Sequence, residues 1–242
     1  KAHEDIRNLT TEREEMSYSL SRGTKGYRIN GACVDIEFMV LGMIQNNVYI
    51  ISDGTTTFVV DPAASADRIV DALGGRTLDA IVVTHRHADH IGALKDLKDK
   101  TGAPVYASAI DAPEIEHPSG SDGPLRVQGC PVDVTVGDKD TITLGAMPWK
   151  VLLTPGHTEG GICLFLDAAD TNHPEADNVL ISGDTLFCGS IGRTDFPGGN
   201  DKQMRASLRR LSQLPDDTVV LPGHNSPTSI GEEQRRVFAY FC

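Results

Sequence analysis

LDAIVVTHRHADH, residues 78–90, is the stretch that decides the fold. Its first half is a continuous, largely β-branched apolar run, as expected of a strand buried on both faces. Its second half crowds His85, His87, Asp89 and His90 into the turn that follows. His85 and His87 are two apart, so in an extended segment both imidazoles lie on the same side of the chain. Asp89 and His90 come where the chain turns into the helix-forming IGALKDLKDKTG (91–102), and can reach the same spot from another direction. Close imidazoles repel when protonated and lose hydration when neutral. A shared cation removes both difficulties, and these four side chains would supply it with three nitrogens and one oxygen.

Three further apolar runs end the same way. PWKVLLTP (148–155) runs into Gly156-His157, NVLISG (178–183) into Asp184, and TVVLPG (218–223) into His224. Four strands therefore deliver metal-capable side chains at their C-terminal ends, where ligands bind in α/β architectures. The set is His85, His87, Asp89, His90, His157, Asp184 and His224. One zinc ion takes about four protein ligands in a structural site and about three plus water in a catalytic one. Seven ligands suit two ions about 3.5–4 Å apart, with one carboxylate bridging them and water completing the shells. A His/Asp set without cysteine admits zinc, iron or manganese. His3 falls in the polar N-terminal stretch, and His117 and His173 in Pro-containing loops; these three are read as solvent-facing.

Around this constellation the chain alternates strands and helices. CVDIEFMVL (33–41), NVYIISD (47–53) and TTFVVD (56–61) are β-branched runs, the last two joined by the turn DGTTT (53–57). SADRIVDALGG (65–75) reads as a helix stopped by its glycines. Beyond the 91–102 helix come a strand at APVYAS (103–108) and a surface insertion at 111–131, rich in Pro, Gly, Ser and Asp. Strands follow at VDVTV (132–136), TITL (141–144) and GICLFLD (161–167), with helices at 201–214 and 231–241. Residues 1 to about 30 are polar and read as a loosely packed extension; residues 31–242 read as one domain. Strands in two batches, each closed by helices, fit two sheets with helices outside.

The chain has 242 residues, 34 acidic against 22 basic, for a net charge of −12. That balance argues against a nucleic-acid partner, which would call for Lys/Arg clusters. No apolar run approaches the ~20 residues of a membrane span, and KAHEDIRNLTTEREEM lacks the apolar core of a signal peptide. The five cysteines (Cys33, Cys130, Cys163, Cys188 and Cys242) are scattered without a CxxC pair and read as reduced, mostly buried thiols. The expected compartment is the cytoplasm, and the expected assembly a monomer or homodimer.

THRHADH (84–90), PGH (155–157), SGD (182–184) and PGH (222–224), in that order, resemble the motifs of the metallo-β-lactamase-fold hydrolases. The resemblance spans residue 33 to the C-terminus. It implies an α/β fold built as a four-layer αββα sandwich, with metals at one edge of the paired sheets. Family ligation would place His85, His87 and His157 on one metal and Asp89, His90 and His224 on the other, with Asp184 bridging. GDTLFCGSIGRTDFPGG (183–199) and LPGHNSPTSIGEE (221–233) are similar to segments of short bacterial glyoxalase II-like hydrolases. That likeness implies two divalent ions, zinc first and iron or manganese next, and a small-molecule thioester of the S-lactoylglutathione type as substrate. Hydroxide held by the metals would attack the carbonyl carbon, with Asp89 both ligating and orienting it.

The family's glutathione-gripping C-terminal domain does not carry over to a sequence ending at Cys242. Persulfide dioxygenases share the HxHxDH stretch and a similar GRTDF segment; they use one iron at the positions matching His85, His157 and Asp184. Here Gly189-Ser190, and Pro197 after GRTDF, favour the hydrolase over that alternative. Arg193 and Asp195 have two readings, an ion pair that shapes the loop or contacts to substrate. Cys188, four residues past Asp184, reads as a packing thiol rather than a ligand.

Overall fold

The computed structural model describes residues 18–242 apart from residue 24 and residues 121–124. Eight strands form the first sheet in sequence order. They are β1 (Ser19–Arg22), β2 (Tyr27–Asn30), β3 (Asp35–Leu41), β4 (Asn46–Ser52), β5 (Thr57–Val60), β6 (Ala80–Val82), β7 (Val105–Ser108) and β8 (Val134–Val136). The first five pair antiparallel as successive neighbours, and β5 through β8 pair parallel. Parallel neighbours need crossovers, which the helices α1 (Ala66–Leu73), α2 (Ala88–Ile91), α3 (Leu94–Thr101) and α4 (Ala112–Glu116) help to build.

The second sheet contains β9 (Thr141–Leu144), β10 (Met147–Leu153), β11 (Ile162–Leu166) and β12 (Val179–Gly183). A small hairpin, β13 (Leu186–Phe187) with β14 (Ser190–Ile191), and helix α5 (Asp201–Leu211) precede its last strands, β15 (Val219–Pro222) and β16 (Thr228–Ser229). The chain closes with α6 (Ile230–Glu233), a π-helical turn over Gln234–Phe238, and α7 (Ala239–Phe241).

Strand alternation assigns the layers. Phe58, Val60, Ala80 and Val82 share one core with Leu164, Val179, Ile181 and Leu221 of the other sheet, so these faces pack together. Their neighbours Val59, Ile81 and Val83 turn the other way onto Ile69 and Leu73 of α1 and Leu94 and Leu97 of α3. Across the molecule, Cys163, Phe165, Leu180 and Val220 pack on Met204, Leu208 and Leu211 of α5. The result is helix, sheet, sheet, helix: the αββα sandwich. The inner strands β4, β5, β6, β11, β12 and β15 are buried on both faces, which is why they read as unbroken apolar runs.

Three local features differ from the sequence reading. Residues 19–22 and 27–30 are strands of the first sheet, with Tyr18 and Ile29 buried. The N-terminal extension as read therefore reaches too far; its residues 1–17 lie outside the described residues. All four residues of β1 are exposed, so it carries no apolar signal. The 111–131 insertion is anchored rather than superficial, since Asp111, Ala112, Ile115 and Cys130 are buried. The 91–102 helix is broken at Gly92, where a side chain would collide with the Ala63 carbonyl.

Candidate metal centre

β10 and β12 both run antiparallel to β11, and β15 runs parallel to β12, so β10, β12 and β15 end at the same edge. The turns beyond them carry His157, Asp184 and His224. The first sheet meets this edge beyond β6, where Ile162 N–H donates to the Thr84 carbonyl at 3.0 Å. Asn47 N–H donates to the Gly223 carbonyl at 2.7 Å, and Gly223 N–H to that of Gly183 at 2.8 Å. Two glycines are required by crowding at this edge. A Cβ on Gly223 would collide with the Asp184 carboxylate, and one on Gly192 with the Asp184 carbonyl.

The seven side chains singled out in the sequence lie together. Within the group His85, His87 and His157, and within Asp89, His90 and His224, the ligand atoms all lie within 4.8 Å of one another. In the first group His87 Nδ1 and His157 Nε2 are 2.8 Å apart. In the second, His224 Nε2 lies 3.2 Å from Asp89 Oδ2. Asp184 sits between them, Oδ1 at 3.3 Å from His90 Nε2 and Oδ2 at 3.4 Å from His157 Nε2 and 3.6 Å from His224 Nε2.

A carboxylate absent from the sequence reading, Asp61, orients two of these imidazoles. It accepts from Thr84 N–H at 2.8 Å, Thr84 Oγ1–H at 2.6 Å and His90 Nδ1–H at 2.9 Å. With its proton given to Asp61, the Thr84 hydroxyl accepts from His85 Nδ1–H at 3.1 Å. Both rings are thereby held as Nδ1–H tautomers, leaving Nε2 of His85 and His90 for the centre, the usual support for metal-bound histidine. His157 is fixed likewise, its Nδ1–H donating to the Arg193 carbonyl at 2.7 Å. Asp61, His85 and His90 also form a close group, but the hydrogen bonds to Asp61 make it a support rather than a ligand. The Asn46 amide, also absent from the sequence reading, lies 3.0 Å from His90 Nε2.

The donor set fits a cation. His85 Nε2 and His87 Nε2 are buried without a hydrogen-bond partner, which is costly for polar atoms unless something satisfies them. Burial, then the neighbouring imidazoles of His90 and His87, holds His85 well below the ordinary histidine range. Burial pushes His87 down to about 3, with His157 adding to the effect. Burial opposes charge on Asp89 too, but the His224 hydrogen bond and His90 outweigh it and hold the carboxyl well below the usual range. Burial is likewise outweighed at His90, where Asp184 and Asp61 favour the imidazolium. Neutral His85 and His87 beside an ionised Asp89 are in the state metal binding requires, and a cation at His90 Nε2 would displace its proton.

A second support ties the ligand-bearing loops together. Asp111 accepts from Arg86 N–H and Nη1 at 3.1 Å, from Thr158 Oγ1–H at 2.8 Å and from Gly160 N–H at 3.1 Å. Arg86 lies between two ligands and Thr158 follows a third, so this buried carboxylate sets the His85–His87 loop against that of His157. Asp111→Ala should destabilise the metal-free protein by about 3 kcal/mol, as expected for breaking a buried ion pair; urea unfolding measures it. Asp111 opens α4 but gives no side-chain cap to it, because its carboxylate is engaged with these loops.

Arg193 and Asp195 form a bidentate pair at 2.7 and 2.8 Å, with the guanidinium stacked 3.6 Å from the centre of the Phe196 ring. That is the loop-shaping reading. Cys188 is half-buried, not buried, with Arg236 Nη1 at 3.8 Å from its Sγ. His117 and His173 are exposed, as read, and His3 lies outside the described residues. Among the described residues no helix is long and apolar enough to cross a membrane.

Comparison with known proteins agrees with this geometry. Residues 41–224 match the model of the metallo-beta-lactamase superfamily. An uncharacterized protein of Aquifex aeolicus is 37% identical, over 82% of this chain and 93% of its own. The hydroxyacylglutathione hydrolase GloC of Haemophilus influenzae is 31% identical, over 84% and 96%. Among solved structures, the BLEG-1 B3 metallo-beta-lactamase superposes with a TM-score of 0.74 at 33% identity, covering 84% of this chain and 98% of that one. TTHA1623 in a di-iron-bound form gives 0.70 at 33%, covering 82% and 96%. ETHE1 from Myxococcus xanthus gives 0.66 at 31%, covering 83% and 82%. The chain belongs to the metallo-beta-lactamase superfamily, a fold that binds divalent metals, and its relatives include hydroxyacylglutathione hydrolases.

Proposed function

We propose that this chain is a binuclear metal-dependent hydrolase of small thioesters. The observation that carries the reading is the position of Asp184, whose two oxygens face ligands of both groups. His85, His87 and His157 would hold one ion, Asp89, His90 and His224 the other, and Asp184 both. Two such ions, when bound, supply Lewis acidity and ionise water near neutral pH. Zinc is the first expectation, with iron or manganese also compatible with this donor set.

The chain's own residues do the rest. Asp89, with its side chain 21% exposed, is the ligand open to incoming substrate and orients the attacking water. Phe187, 5.9 Å from the His224 ring, and Phe196, 6.1 Å from that of His87, give the centre apolar flanks. Water adds its oxygen to the carbonyl carbon, the C–S bond breaks, and the products are a carboxylate and a thiol. A thiol of pKa about 8.5 leaves readily as thiolate, so no strong general acid is required. The small-molecule thioester is the partner; the acidic balance of the chain offers nothing to a phosphate backbone. Metal-loaded protein should release thiol and acid in equal amounts from members of a thioester panel. Rates no higher than those of the metal alone would contradict the reading.

A second reading, a mononuclear iron oxygenase acting on a persulfide, draws on the similarity to ETHE1. Oxygen uptake with glutathione persulfide would support it and exclude a plain hydrolase.

A further inference from the structure

Beside the centre lies a recess of about 190 Å³, to which the HxHxDH stretch contributes Ala88 and Asp89. The rest of its lining is largely apolar. Leu41 comes from the end of β3, Met43 and Ile44 from the β3–β4 turn, Ala63 and Ala64 from the segment before α1, and Leu125 and Val127 from the 111–131 insertion. Leu41 and Ala63 are buried, whereas Met43 is 92% and Ile44 53% exposed. Met43 and Ile44 thus leave apolar surface in water at the rim of the recess. Among the described residues, the exposed Arg126 is the one charged side chain besides Asp89 in the lining, and its stem adds apolar cover.

We infer that this recess receives the acyl arm of the substrate, and that the preferred acyl group carries a chain of about four to six carbons. The inference rests on the thioesterase reading, which places the reacting carbonyl beside Asp89. Asp89 lines both the recess and the centre, so a carbonyl at the centre can send its alkyl chain directly into it. Size sets the limit. At about 30 Å³ for a group the size of a water molecule, the recess accommodates about six such groups. Asn46 also lines the recess, and its buried side-chain carbonyl, which has no hydrogen-bond partner, is an acceptor at the inner end beside His90. The insertion thus becomes a specificity element, because Leu125 and Val127 form one side of the recess.

Calorimetric binding of straight-chain carboxylates, acetate through decanoate, to the metal-loaded protein tests this without relying on turnover. Affinity should rise about fourfold per methylene, the gain expected for burying apolar surface, and level off near hexanoate. Ala64→Phe and Val127→Trp fill the recess from separate segments, and each should lower the hexanoate-to-acetate affinity ratio at least tenfold. Thermal unfolding and metal content verify that each variant is folded and loaded. A flat wild-type series, or a ratio unchanged in both folded variants, overturns the inference. Thioester hydrolysis with a flat series would leave the hydrolase reading standing and remove the acyl recess. A rising series without hydrolysis of any thioester would do the reverse.

Discussion

Asp184→Ala should reduce the metal content of the loaded protein from two ions per chain to one and abolish most of its hydrolytic activity. Between them the Asp184 oxygens face histidines of both groups, Oδ1 towards His90 and Oδ2 towards His157 and His224, so one substitution removes a ligand from both ions. Without the bridging carboxylate, two cations a few ångströms apart face each other with less negative charge between them. An ion acting as Lewis acid contributes several kcal/mol of transition-state stabilisation, and about 4 kcal/mol corresponds to roughly a thousandfold in rate. Metal analysis after gel filtration, paired with thiol release, reads both effects. A variant that keeps two ions and full activity would show that Asp184 does not bridge.

Asp61→Ala is expected to have the next largest effect, although Asp61 is assigned no ion. The substitution strands Thr84 N–H, the Thr84 hydroxyl and His90 Nδ1 in a buried environment. Removing one partner of a buried, charge-assisted network costs about 3–5 kcal/mol. Freed from Asp61, the His85 and His90 rings can turn or change tautomer, and loss of such support lowers metal affinity about 10–100-fold. Asp61 also adopts a left-handed backbone, φ +50°, which alanine tolerates less well than asparagine. Asp61→Asn should therefore recover part of the stability, while its amide can accept at only one atom and restores less of the metal affinity. Urea unfolding of the metal-free protein and competition against a chelator separate the two contributions. Wild-type affinity in Asp61→Ala would mean that His85 and His90 are oriented by other contacts.

The two supports and the site itself differed in how readable they were. Histidine is uncommon, and His85, His157 and His224 each follow an unbroken apolar run, so strand and ligand announce each other; Asp184 shares that position. Asp61 also ends such a run, at TTFVVD, but an aspartate before proline equally suits a turn, and only the fold brings it against His90. Asp111 is less legible still, since its partners Thr158 and Gly160 are almost 50 residues away in sequence. The αββα layering was legible from strand patterns because the inner strands of both sheets are buried on both faces. β1 was not, because an edge strand exposed along its whole length has no apolar alternation to show. The acyl recess was beyond the sequence as well, since it forms only where four separate segments meet.

The most direct test of the binuclear thioesterase account is thiol release from a thioester panel, measured as metal is titrated into the metal-free protein. Activity should stay low through the first ion per chain and climb to its full value with the second. Background rates at two bound ions, or full activity at one, would contradict it.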